Sequence, residues 1–378
     1  MRIAILKYDH AVPTCVTGPA DIWNGMSRMY PILTGAPMKM PIQVDFVSAS
    51  GRVLTATPNG ADTGKKLGAK EVYDLVIVPA MRFEKIDHVL ESEKVLIKWL
   101  QKQYSCGAEL ASICVGAFLL AATGLLTGKK ATTNWLFAGQ FRKHFPYVEL
   151  EDDKVIIDQG RLYSCGGAFS FTSFMIYLIE KFCGHEESII ASKILMINVH
   201  DLPQNTFSIF RFQHDHSDEE IAKAQVYIEK NFKTALSIED LAARSNMSLR
   251  NFIRRFRQAT TNTPLEYLQR VRIEAAKKIL ETKNEGIVQI ASRCGYEDVD
   301  YFGKIFKRYV AMTPRAYREK YGRSTHLLNP LKKGMRCHSV RRSSTRSWAT
   351  PRAVAVHAHC RGRSGLSPRA AGIRKQRY

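Results

Sequence analysis

Leu241-Ala-Ala-Arg-Ser-Asn-Met247 and Ile290-Ala-Ser-Arg-Cys-Gly-Tyr296 are two versions of one pattern. Each is followed by two phenylalanines one helical turn apart, Phe252 and Phe256 after the first and Phe302 and Phe306 after the second. Each then reaches a Thr-Pro pair and a tyrosine, Thr263-Pro264 with Tyr267 and Thr313-Pro314 with Tyr317. The offset is 49 residues before the turn and 50 after it, so the second turn holds one extra residue. Two copies of one supersecondary unit is the simplest account.

Within each copy the spacing predicts helix, turn, helix, over 237–257 and 286–308. Ser237-Ile-Glu-Asp240 has a helix-capping arrangement, and Asn246-Met-Ser-Leu249 is the turn. The next helix puts Leu249, Phe252, Ile253 and Phe256 on one face by the i, i+3, i+4, i+7 rule. Its other face carries Arg250, Asn251, Arg254, Arg255 and Arg257. An apolar stripe for anchoring and a guanidinium and amide face for presenting is the division a major-groove recognition helix needs, so double-stranded DNA is the expected partner. In the second copy Val299, Asp300, Lys304, Lys307 and Arg308 oppose Phe302, Ile305 and Phe306. Asp300 suits either a cytosine amino group or the positive end of a helix. Between the copies, 264–282 reads as one helix opened by Pro264, about 30 Å long and so close to the roughly 34 Å of one DNA turn.

Charge follows the same division. Residues 1–205 hold 21 Lys and Arg against 20 Asp and Glu, residues 206–324 hold 22 against 15, and residues 325–378 hold 13 against none. A polyanion partner is thus expected for the back half alone. The terminal stretch 323–378 lacks an apolar period and is expected to be a disordered basic tail, an inert extension or a non-specific DNA-binding arm. The eight cysteines form no CxxC pair and the histidines no ligand spacing, so neither metal nor cofactor is expected. The N-terminus is too short in apolar length for a signal peptide. The uncharged stretch 110–128 reads as a buried strand and helix rather than a membrane span.

The front half alternates strand and helix. Ile3–Leu6, Gln43–Ser48, Leu75–Pro79, Leu110–Ile113 and Leu162–Ser164 are expected strands, with helices over 89–103, 116–126 and 169–182. This is the pattern of βαβ units around a parallel sheet, the flavodoxin-like α/β class. The expected organisation is an α/β domain over 1–202, a polar linker over 203–217, an all-α double helix-turn-helix domain over 218–322, and the tail. Ala111-Ser-Ile-Cys114-Val-Gly-Ala-Phe118 reads as strand, sharp turn and helix with Cys114 at the turn, where a helix dipole would lower the thiol pKa.

Residues 220–321 resemble the AraC/XylS-type DNA-binding domain, through Ala275-Ala-Lys-Lys-Ile-Leu280, Gly295-Tyr-Glu-Asp298, Tyr301-Phe-Gly-Lys-Ile-Phe-Lys-Arg308 and Met312-Thr-Pro-Arg-Ala-Tyr-Arg318. Where that family carries a glycine two residues before each Thr-Pro, this chain has Thr261 and Ala311. Residues 1–200 resemble the ThiJ/PfpI, class I glutamine amidotransferase-like fold, through Gly18-Pro-Ala-Asp21, Ile113–Phe118, Gly124–Gly128 and Ala131-Thr-Thr-Asn-Trp135; the order of the two domains resembles the GlxA-like regulators. Enzymes of the first fold place a histidine where Asn134 stands, an acid near Cys15 and another at Ser173. Neither Asn134 nor Cys15 serves as a base, so the resemblance implies no enzyme, with a cysteine hydrolase or a Cys114 redox sensor as alternatives. It implies instead a ligand pocket lined by Cys15, Cys114, Val115, Asn134 and Trp135 for a small nitrogenous effector, with Trp135 suited to a cation. A cytoplasmic, nucleoid-associated homodimer follows from the same resemblance, with RNA polymerase as a candidate further partner.

Overall fold

The computed structural model describes residues 1–49, 64–67, 71–197, 203–210, 212–214 and 216–322. The expected tail over 323–378, His200 and parts of the linker lie outside these residues. Strands β1 (Arg2–Leu6), β2 (Gln43–Ser48), β3 (Gly64–Lys66), β4 (Leu75–Val78), β5 (Glu109–Ile113), β6 (Lys130–Ala131), β7 (Glu149–Leu150), β8 (Ile156–Asp158) and β9 (Leu162–Cys165) alternate with helices. The helices of this half are α1 (Pro13–Thr34), α2 (Ile86–Ser92), α3 (Lys94–Ser105), α4 (Ala117–Ala122), α5 (Ala138–His144), α6 (Phe171–Cys183) and α7 (His185–Ile194).

Seven strands form one sheet in the order β3-β2-β1-β4-β5-β9-β8. Every pairing in it is parallel except β8 with β9, while β6 and β7 make a separate parallel pair. Parallel strands covered on both faces are apolar at successive positions rather than alternately. Leu75 to Val78 obey this, and Leu110 to Ile113 do so except at Ser112, all eight being buried.

The helices differ from the sequence expectation, which contained none of α1, α5 and α7. The single helix expected over 89–103 is two, broken at Glu93, whose backbone sits at φ −95° and ψ 31°. The helix expected over 116–126 ends at Ala122, because Gly124 turns left-handed at φ +77°. The long α1 carries Pro19 and Pro31 in its interior and buries Cys15, Trp23 and Met26; two prolines hide such a helix from a propensity reading. Residues 110–128 are β5, the elbow and α4, and no helix among the described residues is long and apolar enough to cross a membrane.

From Glu219 the chain is all helical: α8 (Glu219–Asn231), α9 (Ile238–Arg244), α10 (Leu249–Thr260), α11 (Pro264–Thr282), α12 (Ile287–Arg293), α13 (Val299–Val310) and α14 (Pro314–Tyr321). The repeat seen in the sequence is a repeat in packing. Phe252 and Phe256 lie 5.6 Å apart, with Phe256 5.4 Å from Tyr267; Phe302 and Phe306 lie 5.7 Å apart, with Phe306 5.6 Å from Tyr317. Both tyrosine hydroxyls donate to a glutamate, Tyr267 to Glu229 at 2.5 Å and Tyr317 to Glu281 at 2.6 Å. Leu249, expected on the buried face, is exposed in the first turn of α10.

Candidate nucleic-acid interface and ligand elbow

Capping sets where each recognition helix begins. Ser248 Oγ accepts from Asn251 N at 3.4 Å to open α10, and Asp298 Oδ1 accepts from Asp300 N at 2.8 Å and Tyr301 N at 3.1 Å to open α13. The turns before them use left-handed residues at matching positions, Asn246 at φ +51° and Gly295 at φ +82°. Both helices end in the same way. Thr261 at φ +61° and Ala311 at φ +59° are left-handed C-caps, so the two positions where glycine was missing do require that backbone. A β-branched residue there costs about 1–3 kcal/mol. Thr261→Gly is expected to stabilise the helical domain by about 0.5 kcal/mol after the entropy of a freer unfolded chain is subtracted, roughly 2–4 °C in Tm. An unchanged or lowered Tm in thermal unfolding would show that the Thr261 hydroxyl, which donates to Thr260 O at 2.6 Å, outweighs the strain.

On α10 the exposed set is Arg250, Arg254 and Arg257, with Asn251 half-buried. Asn251 Oδ1 accepts from Arg254 Nη2 at 2.8 Å, which fixes the two side chains as a pair. Arg255 belongs elsewhere. Its Nε and Nη2 donate to the two oxygens of Asp218 at 2.9 and 2.7 Å, while Asp218 Oδ1 also caps α8 through Ile221 N at 3.2 Å. The Arg255 guanidinium holds the Asp218 carboxyl below the usual range, so this brace is complete above that range and lost only as pH falls beneath it. Arg255 is thus a structural tie and not a free groove cation.

On α13, Asp300, Lys304 and Lys307 are exposed and Val299 is half-buried. Asp300 sits in the first turn with its own N–H given to Asp298, the position where an acid favours the helix dipole. Arg308 is exposed as well. It stands at the C-terminal end of α13, 5.6 Å from the Tyr309 ring, and lines a cleft toward the α/β half. The linking helix α11 has 19 residues, about 29 Å of rise. A full capping box between Thr263 and Glu266 starts it.

The elbow in the α/β half is tightly built. Cys114 takes φ +54° directly after β5, and a Cβ on Gly116 would meet Pro79 O at 2.4 Å. Burial pushes the Cys114 thiol up to about 12, outweighing the Val115 N–H and the Asn134 side chain that bond to it. Desolvation thus works against the thiolate expected from the helix dipole, and α4 is only six residues long. Cys15 is also buried, its thiol raised for the same reason. Iodoacetamide is expected to label exposed Cys106 while Cys114 stays unmodified in the folded protein; faster labelling of Cys114, read by peptide mass, would restore the redox reading.

Of the five elbow residues singled out, the fold brings Cys15, Val115 and Asn134 to Cys114, and Trp135 is not among the groups that act on its thiol. Trp135 lines the cleft that Arg308 also lines, and its N–H donates to Gln204 Oε1 at 3.2 Å. Asn134 Oδ1 accepts from Leu136 N at 3.0 Å. Gln204, unmarked in the sequence beyond a polar linker, is buried against this loop. Its Nε2 donates to Thr133 O at 3.0 Å and Lys154 O at 2.6 Å. Two residues on, Thr206 Oγ1 donates to Val310 O at the end of α13. No group of three or more His, Cys, Asp or Glu suited to a metal occurs among the described residues.

Known families divide the chain in the same way. A DJ-1/PfpI family model matches residues 41–181, and a helix-turn-helix domain model matches residues 241–320. This chain carries a DJ-1/PfpI domain followed by an AraC-type helix-turn-helix domain. It is similar to the HTH-type transcriptional regulator GbdR of Pseudomonas aeruginosa, at 26% identity over 59% of this chain and 61% of that protein. It is similar to the regulator CdhR of the same species at 24% over 70% and 77%, and to the regulator GlxA of Rhizobium meliloti at 25% over 59% and 69%. The chain thus spans about 61% of the length of GbdR. The AraC-type domain holds both recognition helices, and the DJ-1/PfpI domain holds the elbow.

Proposed function

We propose that this protein is a sequence-specific transcription regulator that binds promoter DNA through its AraC-type domain and responds to a small molecule through its DJ-1/PfpI domain. The observation that carries the reading is the pair of capped recognition helices, each with exposed cations on one side, joined by one 19-residue helix. Arg250, Asn251, Arg254 and Arg257 form the contact set on α10; Val299, Asp300, Lys304 and Lys307 form it on α13. The regulator names of GbdR, CdhR and GlxA support the same reading. We place the protein in the cytoplasm, as a homodimer, with RNA polymerase a candidate further partner. The effector reading keeps a small nitrogenous metabolite at the elbow of Cys114, Val115, Asn134 and Cys15. A hydrolase is disfavoured because the thiol is held protonated and Asn134 supplies no base. Titrating promoter and bulk DNA at several salt concentrations tests the proposal. A regulator prefers its site by about 10³-fold or more, whereas a mere polyanion binder shows a steep salt slope and no preference.

A further inference from the structure

A cleft of about 600 Å³ lies between the DJ-1/PfpI domain and the AraC-type domain, with Trp135 on one wall and Arg270, Arg308 and Tyr309 on the other. Both domains belong to one compact unit. The volume falls within the range of small-molecule sites, and this space is separate from the Cys114 elbow.

The cleft is lined by four cations, Arg142, Arg270, Lys277 and Arg308, and four acids, Asp152, Asp153, Glu266 and Glu274, but they are not all engaged with one another. Lys277 is committed to Glu274 at 2.9 Å and to Ser208 O at 2.6 Å, and Arg142 is committed to Asp152 at 3.0 Å. Glu266 spends its carboxylate on Thr263 N and Oγ1, both at 2.9 Å. Arg270 and Arg308 are near enough to help hold the Glu266 carboxyl below its usual range, but neither is hydrogen-bonded to it. Their guanidinium carbons lie 5.0 and 5.6 Å from the centroid of the same Tyr309 ring, and Arg270 also lies 5.6 Å from Phe210. Neither is in an ion pair among the described residues, and the buried Arg270 Nε has no hydrogen-bond partner. A desolvated guanidinium donor without an acceptor, as at Arg270, is costly, and two guanidinium groups close to one ring offer donors suited to a planar or tetrahedral oxyanion.

We propose that the interdomain cleft is a binding site for a small molecule bearing a carboxylate or phosphate group. Arg270 and Arg308 hold the anion, and the remainder of the ligand lies against Trp135. Because the two walls come from different domains, an occupant ties their placement together. The binding itself does not depend on the regulator reading; any effect of an occupant on promoter affinity does.

The test uses the full chain and two probes, citrate and inorganic phosphate, followed by tryptophan fluorescence and calorimetry at constant ionic strength. Saturable binding of at least one probe at millimolar concentration is expected, with the fluorescence change lost in Trp135→Phe. The dissociation constant is expected to rise tenfold or more in Arg308→Gln and in Arg270→Gln, and to stay unchanged in Arg257→Gln, a cation of the recognition face. Arg308 is exposed, so its variant tests the site even if Arg270→Gln proves unstable. Promoter binding measured on the same variants separates failure of the site from failure of the regulator reading. Citrate binding alone assigns the site to carboxylates and phosphate binding alone to phosphates. No saturable binding of either probe overturns the proposal, as does binding indifferent to Arg308→Gln or equally weakened by Arg257→Gln.

Discussion

Arg254→Ala is expected to weaken binding to the cognate promoter by about 1–3 kcal/mol, roughly 5–150-fold in Kd, with a much smaller effect on bulk DNA. Arg254 is exposed near the middle of α10, and its guanidinium is steered by Asn251 at 2.8 Å. A pre-oriented fork loses less entropy when it meets the edge of a guanine. Arg257, one turn nearer the C-terminus of the same helix, serves as the comparison. Its replacement by alanine should weaken both DNAs alike and reduce the dependence of log K on log salt by about one phosphate contact. Arg255→Ala should behave differently from both. Its partner is Asp218, so the expected loss is in Tm and not in the ratio of specific to bulk binding. Equal weakening of both DNAs by Arg254→Ala would reassign that residue to a phosphate and leave sequence reading to α13.

Those three arginines show how far the sequence could be read. Periodicity separates the buried Phe252 and Phe256 from the cationic face, because both are fixed by 3.6 residues per turn within one helix. It cannot see Asp218, which lies 37 residues earlier and reaches Arg255 only once α8 packs on α10. Nor can it see that Arg308 shares a cleft with residues of α11 and of the DJ-1/PfpI domain, which meet it only in the folded chain. The repeat itself was legible because duplication imposes the same residue types at the same offsets, and the twin Phe–Phe–Tyr clusters repeat its geometry. The missing glycines at Thr261 and Ala311 were legible too, since only the left-handed region penalises a side chain in that way. The elbow was half-legible. A strand running directly into a helix demands a sharp turn, and Cys114 supplies it at φ +54°. The direction of its pKa shift was not legible, because burial, the largest cause, exists only in the folded chain, as do the approaches of Cys15 from α1 and of Asn134.

Gln204→Glu is expected to be the most damaging single-atom change in the linker. Gln204 is 4% exposed, and its Nε2 faces the Thr133 and Lys154 carbonyls and the Thr132 hydroxyl. It enters beside Gly166, where a Cβ would stand 2.0 Å from that nitrogen. An oxygen in its place turns donation to two carbonyls into repulsion, and a buried carboxyl must be either ionised or protonated at a cost. Losing the donors and leaving their acceptors unpaired costs about 3 kcal/mol, roughly 6–12 °C in Tm for a domain of this size. The place of the damage is the informative part. Residues 204–206 bond backward to the loop carrying Asn134 and Trp135 and forward to Val310 at the end of α13. Releasing this turn should therefore loosen the tie between the domains while leaving each core intact. Calorimetry should resolve two unfolding transitions in the variant where the wild-type chain gives one, with promoter affinity retained by the AraC-type domain. Gln204→Ala, which leaves the acceptors unpaired without adding repulsion, should fall between the two. If Gln204→Glu unfolds in one transition at the wild-type temperature, the turn does not couple the domains, and contacts elsewhere between α13 and the DJ-1/PfpI domain must hold them together.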